Sequence, residues 1–206
     1  MDRGYRTGGR RVLDCETCDS LAAMVEPFRR LASERILETA IFSVRQDRAA
    51  HPQTGRVGEY VVLEQPDWAN VVAVTADERI VMIRQWRHGT RAVELEIPAG
   101  IVDPGESPRA AAIRELREET GYAPASPEAV VAIGAVAPNP AYQSNTCHTF
   151  LATGCTEVGA QALDPGEDIE VVLLTRAELD AALERGEVRN AQVICGLYWW
   201  DRHSAK

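Results

Sequence analysis

GIVDPGESPRAAAIRELREETGY, running from Gly100 to Tyr122, is the stretch on which the reading of this chain turns. Ser107 can cap a helix, Pro108 suits the first helical position, and Gly121 suits a left-handed stop. These marks predict a helix from Pro108 to Thr120 behind a loop from Ala99 to Glu106. Within that helix Glu115, Glu118 and Glu119 stand at i, i+3 and i+4, so they share one face. Like charges at that spacing destabilise a helix, and although Arg114 can pair with Glu118, Glu115 and Glu119 stay crowded. Carboxylates crowded in this way lie in solvent or hold a cation, and hard divalent cations take oxygen ligands of this kind. Ile113 and Leu116 mark an adjoining apolar face, so the helix packs on something.

Outward from the helix the pattern alternates strands and helices. Ile36 to Val44, Tyr60 to Leu63, Val71 to Val74, Ile80 to Trp86 and Val93 to Ile97 are β-branched or aromatic runs upstream. Arg48 to Gly58 reads as a loop, and Ala76 to Arg79 as a turn. Downstream, Ala129 to Val136, Cys147 to Ala152 and Ile169 to Leu174 predict three more strands. Thr175 and Glu178 match a capping box and open a helix ending near Gly186. Asn190 is placed to cap a last helix with Ile194, Leu197, Tyr198 and Trp199. Near the start, Leu21, Met24, Val25, Phe28 and Leu31 recur at helical spacing and predict a short amphipathic helix. Many strands with three or four helices imply an α+β layered fold. Three segments are expected: residues 1–35 as a mobile N-terminus with that helix, 36–75 as a strand extension, and 76–206 as the catalytic domain.

The 206 residues carry a net charge of −9. An acidic chain that binds phosphates needs a local device, either divalent cations or a few placed arginines. A nucleic-acid partner demands a basic face and is not expected. No apolar run nears the roughly 20 residues of a membrane span. The polar start, Met1 to Arg11, lacks the apolar core of a signal peptide, so no membrane partner and a cytoplasmic location are expected. Five scattered cysteines argue against a disulfide framework, and Cys15 and Cys18 have no partner pair at zinc spacing.

The segment also matches a longer pattern: Gly, five residues, Glu, seven residues, then Arg-Glu-aliphatic-x-Glu-Glu-x-Gly-hydrophobic. The matching residues are Gly100, Glu106, Arg114, Glu115, Leu116, Glu118, Glu119, Gly121 and Tyr122. Seven of these positions demand one residue type, a coincidence on the order of once per 10⁸ starting points at about 7% usage per type. On this pattern the chain resembles the Nudix hydrolases. The resemblance implies an α/β/α sandwich with a mixed central sheet and an N-terminal antiparallel strand extension. It implies Mg²⁺, with Mn²⁺ as the alternative, held by Glu115, Glu118, Glu119 and the Ala99 carbonyl. Arg114 would orient the glutamates and Glu106 would brace the loop.

Beyond the box, Pro138 lies sixteen residues after Tyr122 (138 − 122 = 16), a marker of the ADP-ribose pyrophosphatase branch. Val81 to Arg87, Glu96 to Gly100 and Gly186 to Ala191 are similar to that branch as well. The implied activity is hydrolysis of ADP-ribose or a related nucleoside diphosphate sugar to two monophosphates. The implied substrate contacts are Arg87, with Arg84 as its rival, Glu96, Pro138 and Gln143. Glu118, Glu119, Arg114 and Glu167, the last from the acidic turn Leu163 to Asp168 with Asp164, Asp168 and Glu170 as its rivals, form the implied catalytic set, and a homodimer is expected. After Pro138 the chain departs from the branch, reading Asn-Pro-Ala-Tyr-Gln-Ser-Asn-Thr-Cys-His. Tyr142, Gln143, Asn145 and His148 are candidate contacts there. Trp68, in a Pro-Asp-Trp turn, is placed to stack a base. A dinucleotide substrate, or a non-catalytic ligand sensor, are the competing functions.

Overall fold

The structure, a computed structural model, describes residues 25–205. Cys15 and Cys18, with Leu21 and Met24 of the expected first helix, lie outside the described residues. Eleven strands and three helices are present among the described residues. Residues 25–33 with 47–60 form one compact unit, and residues 34–46 with 61–205 form the other.

The first three strands, β1 (Arg29–Glu38), β2 (Ser43–Ala50) and β3 (Val57–Glu64), form a sheet in that order. Leu31 therefore lies in a strand and not in a helix, and the run from Ile36 to Val44 is broken by a turn. Thr39 makes that turn: its hydroxyl accepts from the backbone N–H groups of Ile41 and Phe42 and donates to the Phe42 carbonyl. A second turn folds back at His51 to Arg56, where Gly55 takes a φ of +68°. In the smaller unit the Phe28 ring meets His51 and Tyr60 edge-on, with centroids 5.0 and 5.6 Å away.

The larger unit is built on a mixed eight-stranded sheet. Its spine is β11 (Ile169–Leu174), β5 (Ile80–Arg87), β4 (Trp68–Thr75), β10 (Cys147–Glu157) and β8 (Tyr122–Ala123). To it are added β6 (Ala92–Glu96) on β5, β7 (Ala99–Ile101) on β4, and β9 (Val130–Val136) on β10. The β4–β10 pair is parallel, with Asn70 opposite Thr149, and the other pairings are antiparallel.

Strand alternation sends side chains to two cores. On one face Ala69, Val71, Val81 and Phe150 pack against Ala111, Ala112 and Leu116 of α1 (Pro108–Thr120). On the other, Val72, Ile80, Met82 and Leu95 pack against Leu179 and Ala182 of α2 (Arg176–Glu184) and Val193 and Leu197 of α3 (Ala191–Ser204). The result is an α+β sandwich with the mixed sheet in the middle. Among the described residues no helix is long and apolar enough to cross a membrane.

Candidate active site

Helix α1 begins and ends as its sequence dictates. The Ser107 hydroxyl accepts from the Ala110 N–H, and Gly121, at φ +75°, donates its N–H to the Arg117 carbonyl. Burying Ala111, Ala112 and Leu116 against the sheet turns the glutamate row toward β7. Glu119 is 2% exposed and accepts a 2.9 Å hydrogen bond from the Ala99 N–H. Glu115 lies over Gly100, where a Cβ would collide with its carboxylate. This close approach explains the glycine at that position.

Arg114 organises the carboxylates around itself. Its Nη1 donates to Glu115 (2.7 Å) and Glu118 (3.1 Å), and Nε and Nη2 grip Glu106 at 3.2 and 3.0 Å. Nη2 also donates to the Ile101 carbonyl, which ties the loop to the helix. Arg114 lowers the pKa of Glu106. Burial pushes Glu119 up to about 8, with the Glu115 and Glu167 carboxylates adding to the rise. Burial also raises Glu115, against the pull of Arg114.

The cluster is therefore short of positive charge, and its donors are all hard oxygens. That chemistry fits a divalent cation such as Mg²⁺ or Mn²⁺. Among the described residues, no three carboxylate, imidazole or thiol side chains already converge to hold a metal ion. Glu115 and Glu118 are instead drawn to Arg114.

Glu167 reaches the site from the loop before β11. The Ala162 N–H donates to the Glu118 carbonyl (2.8 Å), and the Gln161 side chain donates to the carbonyls of Glu119 (2.6 Å) and Ile169 (3.0 Å). These bonds satisfy carbonyls that the end of α1 leaves open, and they fix the loop beside the helix. The Glu167 carboxylate accepts from the Asp164 N–H at 3.0 Å, and its charge is felt at Glu115, Glu119 and Arg87.

A cavity of about 350 Å³ opens beside the cluster, lined by Trp68, Asn70, Arg87, Glu96, Ala99 and Asn190 among others. Arg87 grips the buried Glu96 carboxylate through Nε (3.0 Å) and Nη2 (2.8 Å). Arg84 is not brought there: alternation puts it on the other sheet face, where it pairs with Glu170 at 3.1 Å. Pro138 and Gln143 follow β9 and do not line the cavity. Their loop is instead stitched to the end of β3, with the Leu63 N–H on the Tyr142 carbonyl (2.7 Å) and Ser144 returning to Leu63. Asn145 is buried and accepts from Gln65, and His148 meets Asp67 at 3.2 Å.

Sequence reasoning missed Asn70, Cys147, Gln192 and the Glu94–Arg189 pair. A polar Asn70 inside the apolar run from Val71 to Val74 and its flanks was the one available signal. The others come together only through the fold.

A carboxylate-bearing loop–helix beside a mixed sheet is the arrangement that defines the Nudix hydrolases. The NUDIX domain pattern matches residues 66–197, and the chain belongs to that family. It is 33% identical over 172 residues to an ADP-ribose pyrophosphatase of Mycobacterium tuberculosis, covering 82% of this chain and 81% of that protein. It is 29% identical over 172 residues to an ADP-ribose pyrophosphatase of Bacillus subtilis, covering 83% and 91%. It is also 31% identical over 157 residues to a methanol dehydrogenase activator of Bacillus methanolicus, covering 76% and 81%. A solved ADP compounds hydrolase shares the fold, with a TM-score of 0.75 at 23% identity over 86% of this chain and 94% of that one.

Proposed function

We propose that this enzyme hydrolyses the diphosphate bond of ADP-ribose or a closely related nucleoside diphosphate sugar, giving two monophosphates, and that it requires Mg²⁺ or Mn²⁺. The reading is supported by the row of box glutamates gathered around Arg114 and Ala99, beside a cavity lined by Trp68, Arg87 and Glu96. The relatives named for ADP-ribose, matched over most of the chain, support the same choice.

Glu115, Glu118, Glu119 and the Ala99 carbonyl would hold the cation. When bound, it supplies neutralisation of phosphate oxygens and makes water easier to deprotonate. Arg114 keeps Glu115 and Glu118 on one side of the helix, and Glu106 keeps Arg114 in place. Arg87, fixed by Glu96, offers its uncommitted N–H groups to the diphosphate. Glu167, on the loop held beside the end of the box helix, accepts the proton of the attacking water. Trp68 stacks on the base.

We also infer a homodimer formed through the 36–75 strand segment. β1 is exposed along its whole length, and Ile36 and Leu37 of β1, Ile41 of the turn after it and Val61 of β3 are exposed apolar side chains. Apolar rows of this kind mark association surfaces.

Turnover of a panel of nucleoside diphosphate sugars and dinucleotides with Mg²⁺ tests the substrate assignment. ADP-ribose should give the highest kcat/KM. Preference for a dinucleotide such as NADH by tenfold or more would overturn it.

A further inference from the structure

Glu94 and Arg189 form a second carboxylate–guanidinium pair that the catalytic reading leaves without a role. Glu94 stands opposite Gln85 and Glu96 opposite Ile83, so both glutamates point to the same face of β6. Two residues along a strand separate them by roughly 6–7 Å. Each carboxylate is almost wholly buried, with side-chain exposures of 5% for Glu94 and 2% for Glu96. Each is gripped side-on: Arg189 reaches Glu94 through Nε (3.3 Å) and Nη2 (2.6 Å), as Arg87 reaches Glu96.

This grip leaves Nη1 of Arg189 without a partner among the described residues, on a side chain that is 57% exposed. Arg189 also immediately precedes Asn190, which caps α3 and lines the cavity with Gln192 and Val193. A pair that merely tethered α3 would serve as well in solvent. Burying one carboxylate to aim a half-exposed guanidinium is instead how an arginine is fixed before a ligand arrives. Glu94 lies further than Glu96 from the corner leading to β7 and its partner Trp68. Arg189, held on Glu94, thus neighbours the Arg87–Glu96 pair, and it does not itself line the cavity.

We propose that Arg189 is a specificity-determining residue whose free Nη1 receives an acceptor oxygen of the sugar phosphate on the non-nucleoside side of the substrate. Glu94 is its positioning residue. The inference rests on the reading of the enzyme as a nucleoside diphosphate sugar hydrolase.

The test compares wild type, Arg189→Ala and Arg189→Lys on ADP-ribose with Mg²⁺, measuring KM, kcat, Tm and inhibition by AMP, ribose 5-phosphate and inorganic phosphate. Loss of one charge-assisted hydrogen bond should raise KM for ADP-ribose and Ki for ribose 5-phosphate about tenfold or more in Arg189→Ala. kcat should stay within about twofold and Ki for AMP should not move, because the bond forms equally in the ground and transition states. Lysine, which lacks the side-on grip, should restore only part of the loss. If inorganic phosphate weakens in parallel, the acceptor is a phosphate oxygen; if only ribose 5-phosphate weakens, it is a sugar hydroxyl. A folded Arg189→Ala with wild-type KM and Ki for ribose 5-phosphate would overturn the proposal, as would a loss confined to AMP. Should the alanine variant not fold, the lysine variant carries the same comparison. A wild type inactive on ADP-ribose would overturn the hydrolase reading instead. The Arg189 inference is then read from ribose 5-phosphate affinity by calorimetry, where equal values for wild type and variant overturn it.

Discussion

At the scale of single residues, Glu119 and Glu167 are carboxylates whose surroundings differ sharply. Glu119 is buried against the Ala99 N–H and pushed up to about 8, whereas Glu167 approaches from a surface turn. Burial suits a group that must bind a cation, because the cation relieves the cost that burial imposes on the charge. A group at the end of a loop is free to take a proton and return it to solvent. Glu167→Gln is therefore expected to lower kcat by roughly 10²- to 10⁴-fold, the range of general base catalysis, with little change in Tm. Asp164→Asn should keep near-normal kcat, since Asp164 contributes to the turn through its backbone N–H. A Glu167→Gln enzyme that keeps its turnover while Asp164→Asn loses it would reassign the role. The box glutamates were legible in the sequence because helical spacing alone puts 115, 118 and 119 on one face. The candidacy of Glu167 came from the resemblance alone, since no periodicity connects a loop at 163–168 to the distant box helix. Arg189 was not legible, because only the folded sheet brings residue 189 to residue 94.

At the scale of elements, α1 is a functional helix with structural ends. Its caps were readable from Ser107, Pro108 and Gly121, because capping is local chemistry that tertiary packing rarely overrides. β7 was not readable: three residues containing a glycine have no period, and the strand exists only because β4 offers it partners. The hairpin turn at Thr39 was hidden inside an apolar run for the same kind of reason, a side-chain hydroxyl outweighing local propensity. The close packing of β7 on α1 makes a sharp prediction at Gly100. A Cβ there would strike the Glu115 carboxylate, which can swing aside because it ends a flexible side chain. Gly100→Ala should therefore fold with a Tm within a few degrees of wild type and lose at least roughly tenfold in kcat at low Mg²⁺, as expected when one ligand is misplaced. Titration of Mg²⁺ against activity reads the effect. Wild-type Mg²⁺ dependence in a folded variant would show that Glu115 is not a ligand.

At the scale of the whole molecule, a net charge of −9 opposes any phosphate-bearing ligand. The proposed diphosphate substrate would need the few placed cationic groups, together with a divalent cation, to outweigh that field. The exposed strand β1, with Ile36 and Leu37 open to solvent, makes the association state the first property to measure. Light scattering at micromolar concentration should give about twice the 22.6 kDa of one chain. A value of 22.6 kDa at every concentration up to 100 micromolar would refute the dimer. The proposed chemistry is tested by chromatographic analysis of ADP-ribose incubated with wild type and with Glu119→Gln, each with Mg²⁺ and with EDTA. Equimolar AMP and ribose 5-phosphate are expected from wild type with Mg²⁺ and essentially none in the other three reactions. AMP release that persists in EDTA, or in a folded Glu119→Gln at the wild-type rate, would contradict it.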